Sequence, residues 1–336
     1  MTLSLFSSPT RESSNRRRLD FGRGFATLAT LAIIAFPMLW ATAAQAQATR
    51  TWITGLGDDA NPCSRSAPCK TFAGALTKTA VNGEINCLDP GGFGQVTISK
   101  SVTIDCHDVM GAILQGANTG IFIGFDNFAP TDVRKTVNLR GLSIQGADYG
   151  KVGIQISGAN SAGSAVSIED CTINGEFGDP GRGIFDTRSG GGELYISNTT
   201  VRNVAAAGIA VAPATIGKPI NATIDNVRIQ NASYGLAAGT GARVMVNRSV
   251  FSGNTTAGIE ADSGTEVNVN DSVLAHNGIG VQSDGTVRLS NSDISFNTTG
   301  ASGPVNTYSN NRFSSNNDRG TLTAMTPANS TPSGLD

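Results

Sequence analysis

The chain has 336 residues, 24 Lys+Arg against 26 Asp+Glu, 41 Gly and only 6% aromatic residues. Few strong helix formers and many turn residues exclude a long-helix or coiled-coil protein and point to short strands joined by tight turns. The charge balance lacks the basic excess of a nucleic-acid binder.

Residues 1–46 read as a secretory leader. A polar, basic start (Arg16, Arg17, Arg18, Arg23) precedes the apolar run FATLATLAIIAFPMLW and the small-residue site Ala44-Gln45-Ala46. The run is broken by Thr and Pro37 and falls short of the ~20 residues a membrane span needs. No later stretch is apolar enough to span. Cleavage near Ala46 removes five Arg together with Glu12 and Asp20, leaving 19 basic and 24 acidic residues. The expected product is secreted or periplasmic, with Trp52 its one Trp.

Residues 47–94 read as an N-terminal cap. Cys63 and Cys69 bracket a loop of five residues, easily closed into a staple. Residues 68–81 look like a short amphipathic helix with Phe72, Leu76 and Val81 on its buried side. The strand Gly83-Glu84-Ile85-Asn86-Cys87-Leu88 follows. Cys87 shares a strand face with Ile85, and Cys106 shares one with Ile104. The expected pairings are therefore 63–69 and 87–106. Cys171 is left over, in an inward slot where it reads as a buried free thiol.

From residue 95 to about 318 one short unit keeps returning: V-T-I at Val96–Ile98, V-N-L at Val137–Leu139, V-S-I at Val166–Ile168 and L-Y-I at Leu194–Ile196. It continues with Ala222–Ile224, Val244–Val246, Val267–Val269 and Val287–Leu289. From Leu139 on, a second apolar residue follows the unit's last residue by five positions: Ile144, Ile173, Val201, Ile229, Phe251, Leu274 and Ile294. A Gly-apolar pair then opens a third strand, as at Gly153-Ile154, Gly183-Ile184, Gly208-Ile209 and Gly278-Ile279. Repeats from Leu139 are 29, 28, 28, 22, 23 and 20 residues long. Alternating apolar residues make half-buried strands, and three such strands per repeat stack coil on coil around one core. The predicted fold is all-β, a single-stranded right-handed parallel β-helix with an N-terminal capping helix. A Greek-key sandwich would want antiparallel pairs and two-residue hairpins instead. Residues 319–336, rich in Ser, Thr and Pro, read as a disordered tail.

The run KTFAGALTKTAVNGEINCLDPGGFGQVTISKSVTIDC resembles the opening of the pectin-lyase-like right-handed β-helix superfamily, where a cap helix leads into G-E-I-x-x-x-P-G-x-F and then V-T-I-x-K-S-V-T-I. With GDDANPCSRSAPCKTF before it, the chain is similar to a group of secreted bacterial β-helix proteins. The match is close over residues 50–106 and beyond them extends only as a repeat pattern. The resemblance implies the fold and, for enzymes of the superfamily, acidic or neutral polysaccharide substrates. Their hydrolase motifs N-T-D, D-D and G-H-G are not found as a set, since Asp58-Asp59 is the one D-D and precedes the cap helix. Their lyase patterns W-I-D-H and R-x-P-x-x-R are missing too.

The coil EDCTINGEFGDPGRGIFDTR, residues 169–188, holds the densest mixture of charges in the exported part. Here Glu169, Asp170, Asp179 and Asp186, with Glu176 nearby, are candidates to hold Ca²⁺, and Arg182 or Arg188 to act as the base of a lyase. Asp186 is odd, because aligning on the Gly-apolar pairs puts it in an inward slot with Ile156, Val211, Ala261 and Val281. Either the register shifts and Phe185 turns in, or a carboxylate is held near the core. His107 and His276 read as solvated turn residues.

A binding face is the other candidate. The middle residues of the repeated units face out in one column: Thr97, Asn138, Ser167, Tyr195, Thr223, Met245, Asn268 and Arg288. Strands stack about 4.8 Å apart, so these small polar groups around one Tyr match successive sugars of a chain. The plainer reading is that they keep a solvent-facing sheet soluble. The favoured function is an exported protein that contacts a polysaccharide or cell-surface glycan through this face. A Ca²⁺-dependent lyase at 169–188 and a structural or adhesive scaffold are the alternatives.

Overall fold

The computed structural model describes residues 47–325; the leader expectation and residues 326–336 of the expected tail lie outside the described residues. Sheet 1 opens with Ala48–Ile53 and Thr79–Cys87, and from there the chain visits sheets 1, 2 and 3 in turn, coil after coil. Sheet 1 has 12 strands, and sheets 2 and 3 have 10 each. Every strand-to-strand pair among the described residues is parallel, which excludes the sandwich. The result is the right-handed parallel β-helix.

Its core is built from columns of like residues. On sheet 1, Ile104, Leu139, Ile168, Ile196, Ile224, Val246, Val269 and Leu289 stack directly over one another, all buried. Sheet 2 adds Ile144, Ile173, Val201, Ile229, Phe251, Leu274 and Ile294 in the register the five-residue spacing predicted. Each such side chain contributes about 1.5–3 kcal/mol when fully buried, and no single coil could bury its own.

The corners explain the Asn and Asp. After sheet 1, one residue per coil takes a left-handed conformation: Gly141, Asp170, Asn198, Asn226, Arg248, Asp271 and Asn291, with φ between 46° and 65°. Asn, Asp and Gly tolerate that region best. The next residue then points inward, giving the buried column Leu142, Cys171, Thr199, Val227, Ser249, Ser272 and Ser292. Where it is Ser, its hydroxyl accepts the backbone N–H of the coil before, as Ser272 does from Ser249 (3.1 Å). At the corner after sheet 2, Asn254, Asn277, Asn297 and Asn316 form an amide ladder, each Nδ2 donating to the next Oδ1 at 2.9–3.0 Å. These ladders satisfy polar groups that burial would otherwise leave unpaired. Cys171 is a buried free thiol whose burial pushes its pKa up to about 12.

A glycine column runs through sheet 3 at Gly153, Gly183, Gly208, Gly235 and Gly258. A Cβ on Gly183 would lie 2.4 Å from Val201 Cγ1 and 2.5 Å from Gly208 O. The next member is Gly280, not Gly278: Ile259 pairs with Val281, so the expected Gly278-Ile279 register is two residues early.

The cap is shorter than expected. Its helix is Phe72–Lys78, started by Thr71, whose hydroxyl accepts from Gly74 N (2.9 Å). Asp59 accepts from Lys70 N, Thr71 N and Thr71 Oγ1, so one carboxylate organises the loop and the helix start. Burial works against the Asp59 charge, but these bonds prevail and hold its carboxyl below the usual range. Phe72 and Leu76 are buried, and the Phe72 ring meets Phe93 edge-on at 5.4 Å. Val81 is not on the helix. Thr79 turns extended, and Val81 lies exposed on the strand Thr79–Cys87. Cys63–Cys69 and Cys87–Cys106 are both bonded.

Two expected boundaries move as well. The stacked coils begin with Ala48–Ile53 rather than at residue 95, because that strand pairs with Thr79–Cys87. They run into the expected tail, where Thr323–Ala324 still pairs with Val305–Thr307. No helix among the described residues is long and apolar enough to cross a membrane.

Candidate functional site

The charged coil at 169–188 divides between one buried ion pair and charges spread over its corner and surface. Asp186 does point inward, paired across sheet 3 with Ile156 and Val211. The slot it occupies continues with Ala238, Ala261 and Ser283, not Val281. Arg188 meets it there, and both side chains are fully buried. The guanidinium is used up: Nε reaches Asp186 Oδ1 (3.0 Å), Nη2 reaches Asp186 Oδ2 (2.6 Å) and Glu193 O (3.1 Å), and Nη1 reaches Ser164 Oγ (2.7 Å). A base must reach substrate, and this one is sealed. Arg182 is half-buried, with no hydrogen-bond partner for its Nε, and lies over the Phe185 ring, 4.0 Å from its centroid. Burial lowers its pKa, with Asp179 opposing.

The carboxylates disperse too. Glu169 accepts from Ser167 Oγ (2.7 Å) and faces Arg140 (3.4 Å), on the outside of sheet 1. Asp170 occupies the left-handed corner, and Asp179 is exposed. Among the described residues no three His, Cys, Asp or Glu side chains converge to hold a metal ion. Glu176 is buried, takes a hydrogen bond from Gln115 Nε2 and has no partner for Oε1. Burial pushes its carboxyl up to about 8.

The outer face of sheet 1 brings the expected binding residues together, with one correction. Asn138, Ser167, Tyr195, Thr223, Met245, Asn268 and Arg288 stack in one ladder. Thr97 is not in it: Val96–Ile98 belongs to sheet 3, pairing Thr97 with Phe122. Its place is taken by Thr103, whose Oγ1 accepts from Asn138 Nδ2 (3.1 Å), and the ladder continues to Glu84 and Arg50. Tyr195 is 45% exposed, on the sixth of the 12 strands.

Two positions further along each strand runs a second outward ladder that the sequence reading missed. It reads Trp52, Asn86, Asp105, Arg140, Glu169, Ser197, Asp225, Asn247, Asn270 and Ser290, and ends at Tyr308. The signal was present as a polar residue just after nearly every apolar-x-apolar unit. The basic side chains of the two ladders, and Arg248 at the corner beside them, face carboxylates. Arg50 meets Glu84 (3.1 Å), Arg140 bridges Asp105 (3.3 Å) and Glu169, Arg248 meets Asp225, and Arg288 lies 3.8 Å from Glu266.

Each end of this face has a hollow. One, of about 360 Å³, lies beside the 87–106 disulfide and is lined by Trp52, Arg65, Glu84, Asn86, Asp105 and His107. His107 Nδ1 is 2.8 Å from Asp105 Oδ1, and Nε2 is 3.0 Å from Asp108 Oδ1. The Asp105 hydrogen bond, with both carboxylates' charge, raises the His107 pKa. The other hollow, of about 420 Å³, is lined by Met245, Asn268, Asn270, Arg288, Tyr308 and Asn310. A larger hollow of about 710 Å³ lies by Val96–Ile98 and the cap helix. Its one ionisable lining residue is Lys100, whose ammonium already donates to Thr79 O (2.5 Å), so it offers no acid–base pair.

The family model described as "Right handed beta helix region" matches residues 153–331, over half of the chain. No curated protein matches it in sequence. Among solved structures, the pectate lyase Pel9A aligns over 83% of this chain and 77% of its own, at 13% identity and a TM-score of 0.48. The GH136 lacto-N-biosidase from Eubacterium ramulus aligns over 90% and 71%, at 11% identity and a TM-score of 0.37. A rhamnogalacturonan lyase aligns over 77% and 72%, at 13% identity and a TM-score of 0.34.

Proposed function

Because the chain belongs to the right-handed β-helix family, which lays like positions of successive coils side by side, we propose that the outer face of sheet 1 binds a polysaccharide. The observation that carries this reading is the pair of outward ladders, small and polar across most of the sheet and interrupted by the exposed ring of Tyr195. Hydroxyl, amide and carboxylate groups repeated at the strand spacing can bond successive sugars, and an aromatic ring offers its apolar face to one of them. The basic leader at 1–46 and the disulfide-bonded cap fit a protein exported to the periplasm or beyond, where such glycans lie. A Ca²⁺-dependent lyase route through Arg188 and Asp186 is not part of this reading, since each occupies the other.

The test is affinity electrophoresis of the exported chain in gels containing a panel of polysaccharides. Retardation by at least one polymer is expected, together with its loss in Tyr195→Ala at unchanged circular dichroism. No retardation across the panel, or retardation indifferent to Tyr195, would contradict the reading.

A further inference from the structure

The aromatic residues of sheet 1 are placed at even intervals. Trp52 is on the first strand and Tyr195 on the sixth, and Tyr308 directly follows the eleventh, Val305–Thr307. Five strand spacings separate each neighbouring pair, about 24 Å, so the outer two stand about 48 Å apart along the stack. Trp52 and Tyr308 each line a terminal hollow, and Tyr195 stands on the open face between them. A short oligosaccharide can touch one of these rings at a time. Only a long chain laid along the stack can touch two or three.

The charges on the same face say what kind of chain. Arg50, Arg140 and Arg288 of the ladders, and Arg248 at the corner beside them, each face a carboxylate of the sheet, so the basic side chains of the two ladders are already neutralised; the exposed Arg243, off both ladders, and Arg65, at the Trp52 hollow, have no such partner among the described residues. A polyanion would have to break these pairs or sit against Glu84, Asp105, Glu169 and Asp225. A chain of hydroxyls has no such penalty, because carboxylates and amides accept hydrogen bonds from hydroxyl groups as they stand.

We propose that Trp52, Tyr195 and Tyr308 are three anchor points for one extended, neutral polysaccharide running parallel to the stack of coils. The inference rests on the reading of sheet 1 as a glycan-binding face and adds the ligand's charge class, its length and two anchoring residues. Linked weak contacts multiply through effective concentration, so the affinity depends on reaching from ring to ring.

The experiment is isothermal titration of the exported chain with xylan, glucomannan and mixed-linkage β-glucan, against polygalacturonate and alginate as acidic probes. For each polymer bound, a length series of its fragments follows. A neutral polymer is expected to bind with little dependence on salt, and its affinity to rise roughly 10²-fold once fragments can bridge two rings. Trp52→Ala and Tyr308→Ala are each expected to weaken the polymer about tenfold and to leave two- or three-sugar fragments within about threefold. Trp52→Phe and Tyr308→Phe keep a ring and should keep most of the affinity, which separates loss of an anchor from loss of fold. Three results would overturn the inference while leaving the binding face in place. These are fragments as tight as the polymer, indifference to Trp52→Ala and Tyr308→Ala beside sensitivity to Tyr195→Ala, or acidic polymers bound in preference. Failure of every probe to bind would remove the binding face itself, and the three anchors with it.

Discussion

At the scale of single residues, the pair Asp186–Arg188 is a structural element rather than a chemical one. Removing Arg188 leaves a carboxylate buried with no counter-charge, while replacing both partners by apolar groups of like volume removes the penalty along with the pair. Arg188→Ala is therefore expected to lower unfolding stability by roughly 3–5 kcal/mol, and Asp186→Leu with Arg188→Met to recover most of it, as read from urea denaturation. Equal loss in both variants would contradict this role. Glu176 is a pH-sensitive weak point. Burial raises its folded pKa from 4.5 to about 8, so the protonated form is the one the fold holds. Its share of stability is complete below pH 4.5 and is lost as the pH rises through about 8. Glu176→Gln keeps an amide beside Gln115 and removes the titration. The variant's melting temperature should fall less than the wild type's between pH 5 and pH 9; parallel profiles would show that Glu176 ionises freely.

At the scale of strands and corners, close approach sets what each column accepts. An alanine at Gly183 presses its Cβ against Val201 and the rigid Gly208 carbonyl, so Gly183→Ala is expected to cost about 1–3 kcal/mol in the same denaturation assay. A neutral substitution would mean that sheet 3 can spread. Such columns also show what the sequence could reveal. The inward positions of sheets 1 and 2 were legible because burial admits almost nothing but Val, Ile, Leu and Phe at every second residue. Sheet 3 was less so: Gly278-Ile279-Gly280-Val281 offers two equally good frames, and only the pairing of Ile259 with Val281 chooses between them. The unit V-T-I occurs at Val96–Ile98 and again at Val102–Ile104, and local pattern cannot say which belongs to sheet 1. That is why Thr97 stood in for Thr103. The candidate site was half legible. The ladder through Tyr195 repeats the middle of a recognisable unit, whereas its neighbour mixes Trp, Asp, Arg, Glu, Ser and Asn and has no compositional signature. Asp186 was visible only as an oddity, because its partner lies two residues away on the same strand end, outside any periodic comparison.

At the scale of the whole coil stack, parallel winding puts equivalent residues of every coil on the same face, so small side-chain preferences add up to a surface. Sheets 2 and 3 carry exposed side chains as well, and two of the most exposed aromatics, Tyr149 and Phe177, sit in corners away from sheet 1. They serve as internal controls for the proposal that the outer face of sheet 1 is the surface that meets a glycan. Hydroxyl-radical footprinting with a bound polysaccharide reads all of these rings in one experiment. Tyr195 is expected to lose reactivity on binding while Tyr149 and Phe177 keep theirs. Protection of Tyr149 or Phe177 with Tyr195 still fully reactive would contradict the proposal and move the binding surface to another side of the molecule.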